Sequence, residues 1–384
     1  MMLGLLLARA GVETLVLEKH ANFLRDFRGD TLHPSTLEVL GELGLLDELL
    51  RLPHDRVAEI AAQFGDTPLK IADFRHLPVR CGFIAMMPQW DFLNFLAKQG
   101  ARYPRFQLRM QAEVTGLVEK DSLVVGLRVG NEEIRADLVI GADGRHSTVR
   151  THARLEVENR GAPIDVLWFR LSRKASDPEN SMGRFDPGAA LVLINRRDYW
   201  QCGYVIPKGA ADGVRAAGLP AFRDRLARLL PWMADRVGEL AEWDRIKLLA
   251  VQIDCLKQWW RPGLLCIGDA AHAMSPVGGV GINLAIQDAV AAGNFLGGGD
   301  LSPANLRRIQ RRREWPARAT QRLQILAQDR IISRVLQSRA PLKVPLGFRL
   351  LGRYAWLRRL PGRLIGMGIR PEHISPSDGA AQRS

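Results

Sequence analysis

One stretch of 24 residues constrains the fold of this chain more than any other: CIGDAAHAMSPVGGVGINLAIQDA, from Cys266 to Ala289. It begins within an apolar run, Leu264 to Ile267, that predicts a buried strand. A loop with almost no side-chain bulk follows, and a helical pattern begins near Gly281. Open α/β sheets bind ligands at the carboxyl ends of their strands, so the stretch predicts a ligand site as well as a strand and a helix.

The residues of this stretch suit a flat cofactor that carries negative charge. Gly268 and Asp269 place a carboxylate at the end of the strand, and the loop from Pro276 to Gly281 lets a flat ligand approach the backbone. The helix then presents the N–H groups of its first turn, including those of Ile282 and Asn283, and the positive end of its dipole. A glycine-rich turn before any helix would explain the glycines, but not the acidic residue ahead of them.

A second strand-and-turn pattern lies at DLVIGADGRHSTVR, Asp137 to Arg150. An apolar run ends at Gly141, and Asp143 follows in a turn that contains glycine and precedes basic side chains. An acidic residue beside basic ones can bind a ribityl hydroxyl and attract a phosphate at one site. A strand followed by an Asp-Gly turn is also a common structural feature, so alone this pattern is weak.

The first residues, MMLGLLLARAGVETLVLEKH, have two interpretations. An apolar run followed by Ala8-Arg9-Ala10 resembles a secretion signal, but the Lys or Arg that should precede such a run is missing. The favoured interpretation is a helix followed by a β-branched strand that ends in Glu18. Dinucleotide folds place an acid at the end of such a strand, where it hydrogen-bonds a ribose hydroxyl.

In this order and spacing, the three sites resemble the class A FAD-dependent monooxygenases typified by para-hydroxybenzoate hydroxylase. The Gly-Asp motif matches at Gly268 to His272 with Pro276 and Gly278 to Asn283, and the Asp-Gly motif matches at Gly141 to Gly144. The resemblance extends to about Arg330. It implies an α/β fold, with a Rossmann-like FAD-binding domain, an inserted mostly-β substrate domain and C-terminal helices.

The resemblance also implies cofactor contacts. Glu18 would bind the adenosine ribose, Val114 would contact adenine, and Asp269 would bind a ribityl hydroxyl or the pyrophosphate. Asp143 would serve the flavin and, as a second option, the nicotinamide donor. The other implied FAD-binding residues lie along the pyrophosphate and ribityl chain or the flavin ring: Arg28, Gln89, Gly268, Pro276, Gly279, Gly281, Ile282 and Asn283.

The opening departs from the family pattern. In the family, a first strand and a Gly-x-Gly-x-x-Gly loop immediately precede a helix like the one from Met1 to Gly11, and both are absent here. The central sheet is therefore expected to lose a strand and the pyrophosphate its backbone cradle. Three explanations are open: a start codon placed too far downstream, a fragment, or a chain that has lost tight FAD binding. We favour the first, because every later motif is intact.

The order of the predicted elements divides the chain into four parts. The FAD-binding domain is expected to be discontinuous, with three segments: residues 1–60, 88–155 and 262–300. The substrate domain is expected to have two segments: residues 61–87 and 156–261. Basic C-terminal helices are expected over residues 301–370, and a flexible tail over residues 371–384.

Three helices and one strand-rich region are predicted with particular bounds. Leucines at helical spacing predict a helix over residues 34–50, and further helices are predicted over residues 89–101 and 222–241. Residues 164–207 are richest in strand formers and turn residues.

The net charge of +13 is concentrated at the end of the chain. Residues 301–384 contain 18 Arg or Lys against 4 Asp or Glu, a surplus of 14, so the residues before them carry a net charge of −1. Patterns of RNA-binding modules, helix-turn-helix motifs and zinc fingers are missing, and no nucleic-acid partner is expected. Arginines mixed with Leu, Trp and Tyr over residues 350–360 are typical of a helix on a membrane surface. The alternative is that these helices pack on the flavin domain with their arginines pointing outward.

The cysteines and the hydropathy of the sequence indicate the cellular compartment in which the protein is expected. The four cysteines lie far apart, without zinc spacing or a disulfide framework, and are expected to be buried in a reducing cytoplasm. No apolar stretch approaches the ~18 residues of a spanning helix. We therefore expect a cytoplasmic protein that can also be peripheral at a membrane.

The resemblance implies the reaction. NADH or NADPH would reduce the flavin transiently, O₂ would form a flavin hydroperoxide, and an aromatic or other lipophilic small molecule would be hydroxylated. The protein would supply orientation and dryness, so no catalytic nucleophile and no metal site are predicted. Aromatic and basic residues of the inserted region are the candidates for substrate contact: Trp168, Arg170, Trp200 and Tyr204.

Three other functions are considered. Flavin-dependent halogenases share the fold, but the segment from Cys202 to Pro207 lacks both tryptophans of their Trp-x-Trp-x-Ile-Pro pattern. A flavin-dependent reductase or dehydrogenase of an isoprenoid-like substrate is an alternative that consumes no O₂. A non-catalytic flavoprotein remnant is the third, and it would bind no flavin.

Overall fold

The computed structural model of the chain describes residues 1–24 and 30–375. Its helices are α1 (Met2–Arg9), α2 (Pro34–Glu42), α3 (Leu46–Leu50), α4 (Gln89–Gly100), α5 (Thr148–His152), α6 (Ala211–Ala216), α7 (Leu219–Leu229), α8 (Gly281–Leu296), α9 (Pro303–Ala327), α10 (Ser333–Gln337), α11 (Leu346–Arg353) and α12 (Arg359–Met367). Its strands are β1 (Thr14–Leu17), β2 (Thr31–Leu32), β3 (Asp55–Val57), β4 (Glu59–Phe64), β5 (Thr67–Asp73), β6 (Ile84–Met86), β7 (Phe106–Arg109), β8 (Val114–Lys120), β9 (Leu123–Val129), β10 (Glu132–Arg135), β11 (Val139–Gly141), β12 (Val157–Asn159), β13 (Ile164–Ser172), β14 (Met182–Asp186), β15 (Ala189–Asn195), β16 (Tyr199–Pro207), β17 (Lys247–Leu249), β18 (Asp254–Leu256), β19 (Trp260–Arg261) and β20 (Leu264–Cys266).

Four strands form two parallel pairs in the region expected to bind the cofactor. β1 pairs with β7, and β11 pairs with β20, which also pairs with β19 in the antiparallel sense. Among the described residues the two pairs belong to separate sheets.

Helix α1 is buried along its length because it packs tightly between β1 and α8. Every residue from Met2 to Ala8 is buried. Gly4 allows the close approach to β1, since a Cβ at that position would lie 2.6 Å from Cγ2 of Val16. Gly293 does the same on α8, where a Cβ would lie 3.1 Å from Cβ of Leu6. The predicted order of a helix followed by a strand is confirmed.

A seven-stranded sheet forms the second large element, in the order β17-β13-β16-β15-β14-β4-β5. Neighbouring strands are antiparallel except β14 and β4, which are parallel. The strand-rich region predicted over residues 164–207 supplies four of the seven strands. β4 and β5 come from residues 59–73, whereas β6 pairs with β2 and β3 in a small separate sheet. The predicted domain boundaries stay predictions.

Alternation of side chains gives the seven-stranded sheet two different faces. On the back face, side chains of β13, β15 and β16 pack against Phe222 and Leu226 of α7 and against Met233 in one hydrophobic core. On the front face, Val166 of β13 packs with Val335 of α10 in a second, smaller core. The back face is therefore closed by helices, and the front face turns toward the rest of the molecule.

Helix α9 packs across the loop between β20 and α8 and holds its backbone through glutamine side chains. Gln321 Nε2 donates to the carbonyls of Asp254 (2.7 Å) and Ala273 (2.9 Å). Gln324 Nε2 donates to the carbonyls of Ser275 (2.9 Å) and Val277 (2.8 Å). Gln328, in the π-helical turn Gln328–Ile332 that joins α9 to α10, donates to Ser275 Oγ. We call these three buried side chains the glutamine ladder.

The C-terminal segment differs in part from the expected flexible tail. Glu372 is only 5% exposed, because its carboxylate accepts from Nε of Arg312 (2.8 Å) and from Nη1 of Arg313 (3.1 Å). The expectation of a loose tail is therefore wrong for residues 371–375, where an acidic residue neutralises two arginines of α9. Residues 376–384 lie outside the described residues.

Two predicted helices are interrupted. The helix expected over residues 34–50 divides into α2 and α3, because Gly44 adopts a φ of +70° between them. The helix expected over residues 222–241 divides into α7 and the 3₁₀ segment Pro231–Glu239, since Pro231 cannot continue the α-helical hydrogen bonds. The predicted helix over residues 89–101 is confirmed as α4.

All four cysteines, Cys81, Cys202, Cys255 and Cys266, are buried and unpaired, as predicted. Within residues 1–24 and 30–375, no helix is both long enough and apolar enough to cross a membrane.

Candidate flavin site

The loop between β20 and α8 has the open backbone that sequence analysis predicted. Gly278 and Gly279 adopt φ values of +81° and +63°, which side-chain-bearing residues rarely tolerate. A Cβ at Gly281 would meet no atom within 4 Å. The first hydrogen bond inside α8 joins the Leu284 N–H to the Val280 carbonyl (2.9 Å), so the N–H groups of residues 281–283 have no acceptor within the helix. A flat anionic group can lie against this helix start.

Asn283 fixes this loop against the strand that precedes α2. Its Oδ1 accepts from the His33 N–H (2.8 Å) and from Thr36 Oγ1 (2.8 Å). Its Nδ2 donates to the carbonyls of Thr31 (3.0 Å) and Gly279 (3.3 Å). Because the side chain is fully used inside the protein, only the backbone of Asn283 is available to a ligand.

A buried charge network supports the turn that carries Asp269. Asp288 of α8 accepts from the Gly268 N–H (3.0 Å), from Nε of Arg313 (2.9 Å) and contacts His272 Nε2 (2.5 Å). Burial alone would raise the pKa of Asp288, but His272 and Arg313 hold that pKa below its usual value. The network therefore fixes the Gly268–Ala270 turn, and half-buried Asp269 stands at its edge. His272 is a hydrogen-bonding residue.

Asp143 caps α5 with its own carboxylate. Its Oδ1 accepts from Ser147 Oγ (2.5 Å) and its Oδ2 accepts from the Val149 N–H (3.0 Å). Arg150, which follows, is buried and paired with Asp254 (3.1 Å). These bonds give Asp143 and Arg150 structural roles in this turn, and Asp143 is exposed enough to contact a ligand as well.

The other predicted cofactor residues lie at the ends of elements. Glu18 follows β1, and its Oε1 accepts from the His20 N–H (2.9 Å). Gln89 begins α4 and Val114 begins β8. Pro276 precedes the 3₁₀ turn Val277–Gly279, and Ile282 lies in the first turn of α8. Arg28 lies outside the described residues.

The front face of the sheet carries two of the four predicted substrate residues. Trp168 and Arg170 alternate with buried Leu167, Phe169 and Leu171 on β13, so they point to the front. The Trp168 ring lies over β16, since a Cβ at Gly203 would be 3.0 Å from its Cη2. Val277 of the cofactor loop packs against the same front-face core. The front face and the candidate flavin loop are therefore neighbours.

Trp200 and Tyr204 lie on the opposite face. Trp200 is fully buried, and its Nε1 donates to Asp177 Oδ2 (3.0 Å). Tyr204 is 4% exposed and packs edge-on against Phe222 of α7, with ring centroids 5.4 Å apart. The expectation that these two residues contact substrate is not supported. Side chains alternate between the two faces along β16, and this alternation places both residues in the back-face core.

A charge cluster that sequence analysis missed lies where the front face meets α4. Asp30 accepts from the Gln89 N–H (3.2 Å) through Oδ1 and from Arg196 through Oδ2. Arg196 Nε also donates to Gln201 Oε1 (3.1 Å) on β16. Burial raises the pKa of Asp30 to about 6, against the opposing effects of Arg196 and Arg170. No sequence signal could have joined Asp30 to Arg196, which are far apart along the chain.

Within the described part of the chain, no group of three or more His, Cys, Asp or Glu side chains could hold a metal ion. The glycine loop and the start of α8 have the geometry of a site for a flat, anionic group beside an open sheet face.

Comparison with known proteins agrees with this geometry. A family model described as FAD binding domain matches residues 1–298. The chain belongs to this family. It is 32% identical over 346 residues to 6-methylpretetramide 4-monooxygenase of Streptomyces rimosus, which covers 86% of this chain and 81% of that protein. It is 28% identical over 295 residues to rifampicin monooxygenase of Streptomyces venezuelae, which covers 74% of this chain and 58% of that protein.

A solved structure shows the same fold. PqsL of Pseudomonas aeruginosa, described as a probable FAD-dependent monooxygenase, matches with a TM-score of 0.73 at 22% identity, covering 88% of this chain and 94% of that one. The predicted α/β fold, the class A FAD-dependent monooxygenase family and FAD as the cofactor are confirmed. The chain is thus an FAD-dependent monooxygenase, an oxidoreductase.

Proposed function

We propose that the protein hydroxylates an aromatic or other lipophilic small molecule, with O₂ as co-substrate and NADH or NADPH as the electron donor. Bound FAD would supply the redox chemistry. The protein's own residues would hold the flavin ring at the start of α8, orient the substrate on the front face and keep water out. The relatives' names give 6-methylpretetramide and rifampicin as the compounds those proteins act on.

The residues present fit FAD at the ring end. The first turn of α8 offers backbone N–H groups and a positive dipole end to a ring that becomes anionic on reduction. The glycine loop leaves the backbone uncovered, and Asp269 stands at the carboxyl end of β20, where we propose that it binds a ribityl hydroxyl or the pyrophosphate. Glu18, Gln89 and Val114 are proposed for the adenosine and pyrophosphate end.

One observation carries the proposal for the substrate. Val192, near the middle of the seven-stranded sheet, is 42% exposed on the front face. Its cross-strand neighbours are Gly203 on one side and Gly183 on the other, and Trp168 lies beyond Gly203. The Trp168 ring lies over Gly203, and a Cβ at Gly183 would be 3.3 Å from the Phe185 ring, so the exposed valine lies in an apolar trough between two aromatic walls, which suits a flat ring. Arg170 adds a positive charge at one end.

Flavin binding is the first test. Purified protein titrated with FAD should develop the shifted visible spectrum of a bound flavin, and the fluorescence of the added flavin should change to an end point. Failure to take up FAD at micromolar concentration would refute the proposal and favour the flavin-free remnant.

Oxygen uptake is the second test. With FAD bound, NADH or NADPH oxidation should increase when an aromatic substrate is present, and O₂ should be consumed in proportion to hydroxylated product. Stimulated donor oxidation without O₂ consumption would indicate the reductase alternative.

Trp168→Ala should weaken aromatic binding by about 1–2 kcal/mol, roughly five- to thirtyfold. Trp315→Ala is the matched control, since Trp315 lies on α9 and is 61% exposed.

We also propose that the C-terminal helices bind anionic membrane surfaces weakly. Between Asp329 and Glu372 the sequence has ten Arg or Lys and no Asp or Glu. Over α11 to α12, large apolar side chains stay exposed beside these arginines, including Leu346 (72%), Trp356 (62%) and Leu360 (65%). An apolar stripe flanked by cations is complementary to an anionic lipid surface.

Sedimentation with vesicles tests this contact. The protein should pellet with vesicles that contain phosphatidylserine and stay in the supernatant with pure phosphatidylcholine, and high salt should reduce pelleting. The double variant W356S/L360S should bind less, and W315S should bind like the wild type. Equal behaviour with both vesicle types would contradict the proposal. A cytoplasmic location is proposed with it, in line with four buried, unpaired cysteines.

A further inference from the structure

A small cavity lies beside the first turns of α8, between α2, α9 and the residues that follow α12. Its volume is about 30 Å³. One water-sized sphere needs roughly 10–15 Å³, so the cavity has room for one or two particles of that size and excludes an organic substrate or a nucleotide. Asn283 lines the cavity, but its side chain is fully used in fixing the cofactor loop. The groups that can bind a ligand therefore come from the other lining residues.

Gln287 brings a buried donor without a partner to this cavity. It lies on α8 one turn after Asn283 and is 4% exposed. Its Oε1 accepts from the Glu372 N–H, so the orientation of the amide is fixed, because the NH₂ group cannot accept that hydrogen bond. Within residues 1–24 and 30–375, Gln287 Nε2 has no hydrogen-bond partner. A ligand in the cavity can supply the missing acceptor.

Arg313 brings a second such donor from α9. It is fully buried and also lines the cavity. Its Nε donates to Asp288 (2.9 Å) and its Nη1 to Glu372 Oε1 (3.1 Å), but its Nη2 has no partner in the part of the chain that the structure describes. Unpaired buried donors destabilise a protein, and those of charged groups do so most. Arg313 Nη2 and Gln287 Nε2 can only donate, so both require a ligand that accepts.

The start of α2 adds further donors to the same cavity. Ser35, in the first turn of this nine-residue helix, is buried and lines the cavity. The N–H groups of Thr36 and Leu37 bond to the His33 carbonyl, whereas the Ser35 N–H has no acceptor within the helix. The positive end of the α2 dipole favours an anion. Much of the remaining lining is apolar and includes Leu284, Met367 and Ile369.

The charges around Arg313 limit the anion to a single negative charge. Arg312 and Arg313 pair with Asp288 and Glu372, so these four side chains sum to zero. Attraction for an anion therefore comes from the oriented donors and the α2 dipole, and we expect affinity in the millimolar range. A divalent oxyanion such as sulfate is too large for the cavity and too costly to dehydrate among apolar side chains. A monovalent ion of the size of chloride meets both limits.

We propose that the cavity lined by Ser35, Gln287 and Arg313 binds one chloride ion. The ion accepts hydrogen bonds from Gln287 Nε2, from Arg313 Nη2 and from the Ser35 hydroxyl. It thereby joins α2, α8 and α9 beside the cofactor loop. Because the unfolded chain lacks this arrangement of donors, the ion stabilises the folded protein by mass action. The proposal does not depend on the proposed function.

Urea unfolding at constant ionic strength tests the site without FAD or turnover. Potassium chloride is exchanged stepwise for potassium gluconate, whose anion is too large for the cavity. The urea midpoint of the first transition should rise with the chloride concentration. For one ion per chain, and above its dissociation constant, about tenfold more chloride should raise the folded-to-unfolded ratio about tenfold at fixed urea. Replacing gluconate with sulfate should give no such rise.

Gln287→Glu separates ion binding from a purely structural role. The new side chain keeps an oxygen for the Glu372 N–H and places a carboxylate oxygen next to Arg313, so the protein supplies its own anion. This variant should lose the dependence on chloride and, in gluconate, be at least as stable as the wild type. A purely structural glutamine predicts the opposite on both counts. Gln337→Glu is the matched control, since Gln337 on α10 is exposed, and it should respond to chloride like the wild type.

Ser35→Ala keeps the test open where Gln287→Glu does not fold. It removes the hydroxyl donor, so the chloride concentration at half effect should rise about tenfold. An unchanged concentration at half effect would contradict the assignment of this donor to the ion.

Bromide distinguishes a halide from an ordered water molecule. Crystals of the wild type soaked in sodium bromide should show an anomalous peak between Gln287 and Arg313, and crystals of Gln287→Glu should show none there. The proposal is overturned if the wild type shows no peak at this position, if its urea midpoint is independent of chloride, or if Gln287→Glu keeps the full dependence. None of these results affects the proposed function, which FAD binding and O₂ uptake test separately.

Discussion

The Asp288 network offers a sharp test of how the candidate flavin turn is held. Asp288→Asn keeps the volume of the side chain, so it adds little cavity energy and removes mainly the negative charge. Asp288 is fully buried, and its two oxygens serve the Gly268 N–H, His272 and fully buried Arg313. Breaking a buried pair by removing one charge costs about 3–5 kcal/mol. Arg313 keeps Glu372 at 3.1 Å, so we expect a loss of about 3 kcal/mol.

Urea unfolding followed by tryptophan fluorescence measures this loss as the free energy of the first transition. Glu59→Gln is the matched control, since Glu59 pairs with Lys70 (2.8 Å) and Arg75 (2.9 Å), whose side chains are both 53% exposed. An exposed pair contributes less than about 1 kcal/mol. FAD affinity should fall with Asp288→Asn, because the amide has one acceptor oxygen instead of two and its NH₂ group must then face a donor, either Arg313 or the Gly268 N–H and His272. A loss for Asp288→Asn as small as that for Glu59→Gln would refute the view that this network holds the turn.

Two further predictions concern stability. Gly263 and Gly209 both have a φ of +76°, but a Cβ at Gly263 would lie 1.9 Å from the Val124 carbonyl oxygen, whereas one at Gly209 meets no atom within 4 Å. Gly209→Ala should therefore lower the free energy of unfolding by only about 1–3 kcal/mol, and Gly263→Ala should lower it clearly more. Equal losses for the two variants in urea unfolding would contradict the predicted clash at Gly263. Burial lowers the pKa of His33 to about 4, so stability should be full above pH 6.5 and fall by up to about 3 kcal/mol as the pH drops to 4. His33→Asn should flatten this dependence of stability on pH. An unchanged dependence would contradict the view that the low pKa of His33 causes it.

Local patterns predicted much of the fold and of the cofactor loop. Apolar runs that end in glycine identified β11 and β20, and the low bulk of the loop after Met274 identified the start of α8. These features depend on residues close together in the sequence. A helix and a strand at the opening followed from the same kind of pattern.

Contacts between distant segments could not be predicted. Trp168 and Trp200 looked equivalent in the sequence, and only the pairing of β13 with β16 shows that they lie on opposite faces. The Asp30–Arg196 pair joins residues 166 positions apart. Glu372 looked like part of a polar tail, and its burial follows from two arginines of α9 that no local pattern connects to it.

The glutamine ladder makes the cofactor loop depend on a helix outside the segment that the family model recognises. The match ends at residue 298, yet Gln321, Gln324 and Gln328 satisfy the loop carbonyls of Ala273, Ser275 and Val277 and the Ser275 hydroxyl. An excised unit of residues 1–298 would lose these hydrogen-bond donors, and the loop that α9 covers would be exposed to water. The recognisable module is therefore not an autonomous one, and grafting the flavin site into another protein requires carrying α9 with it.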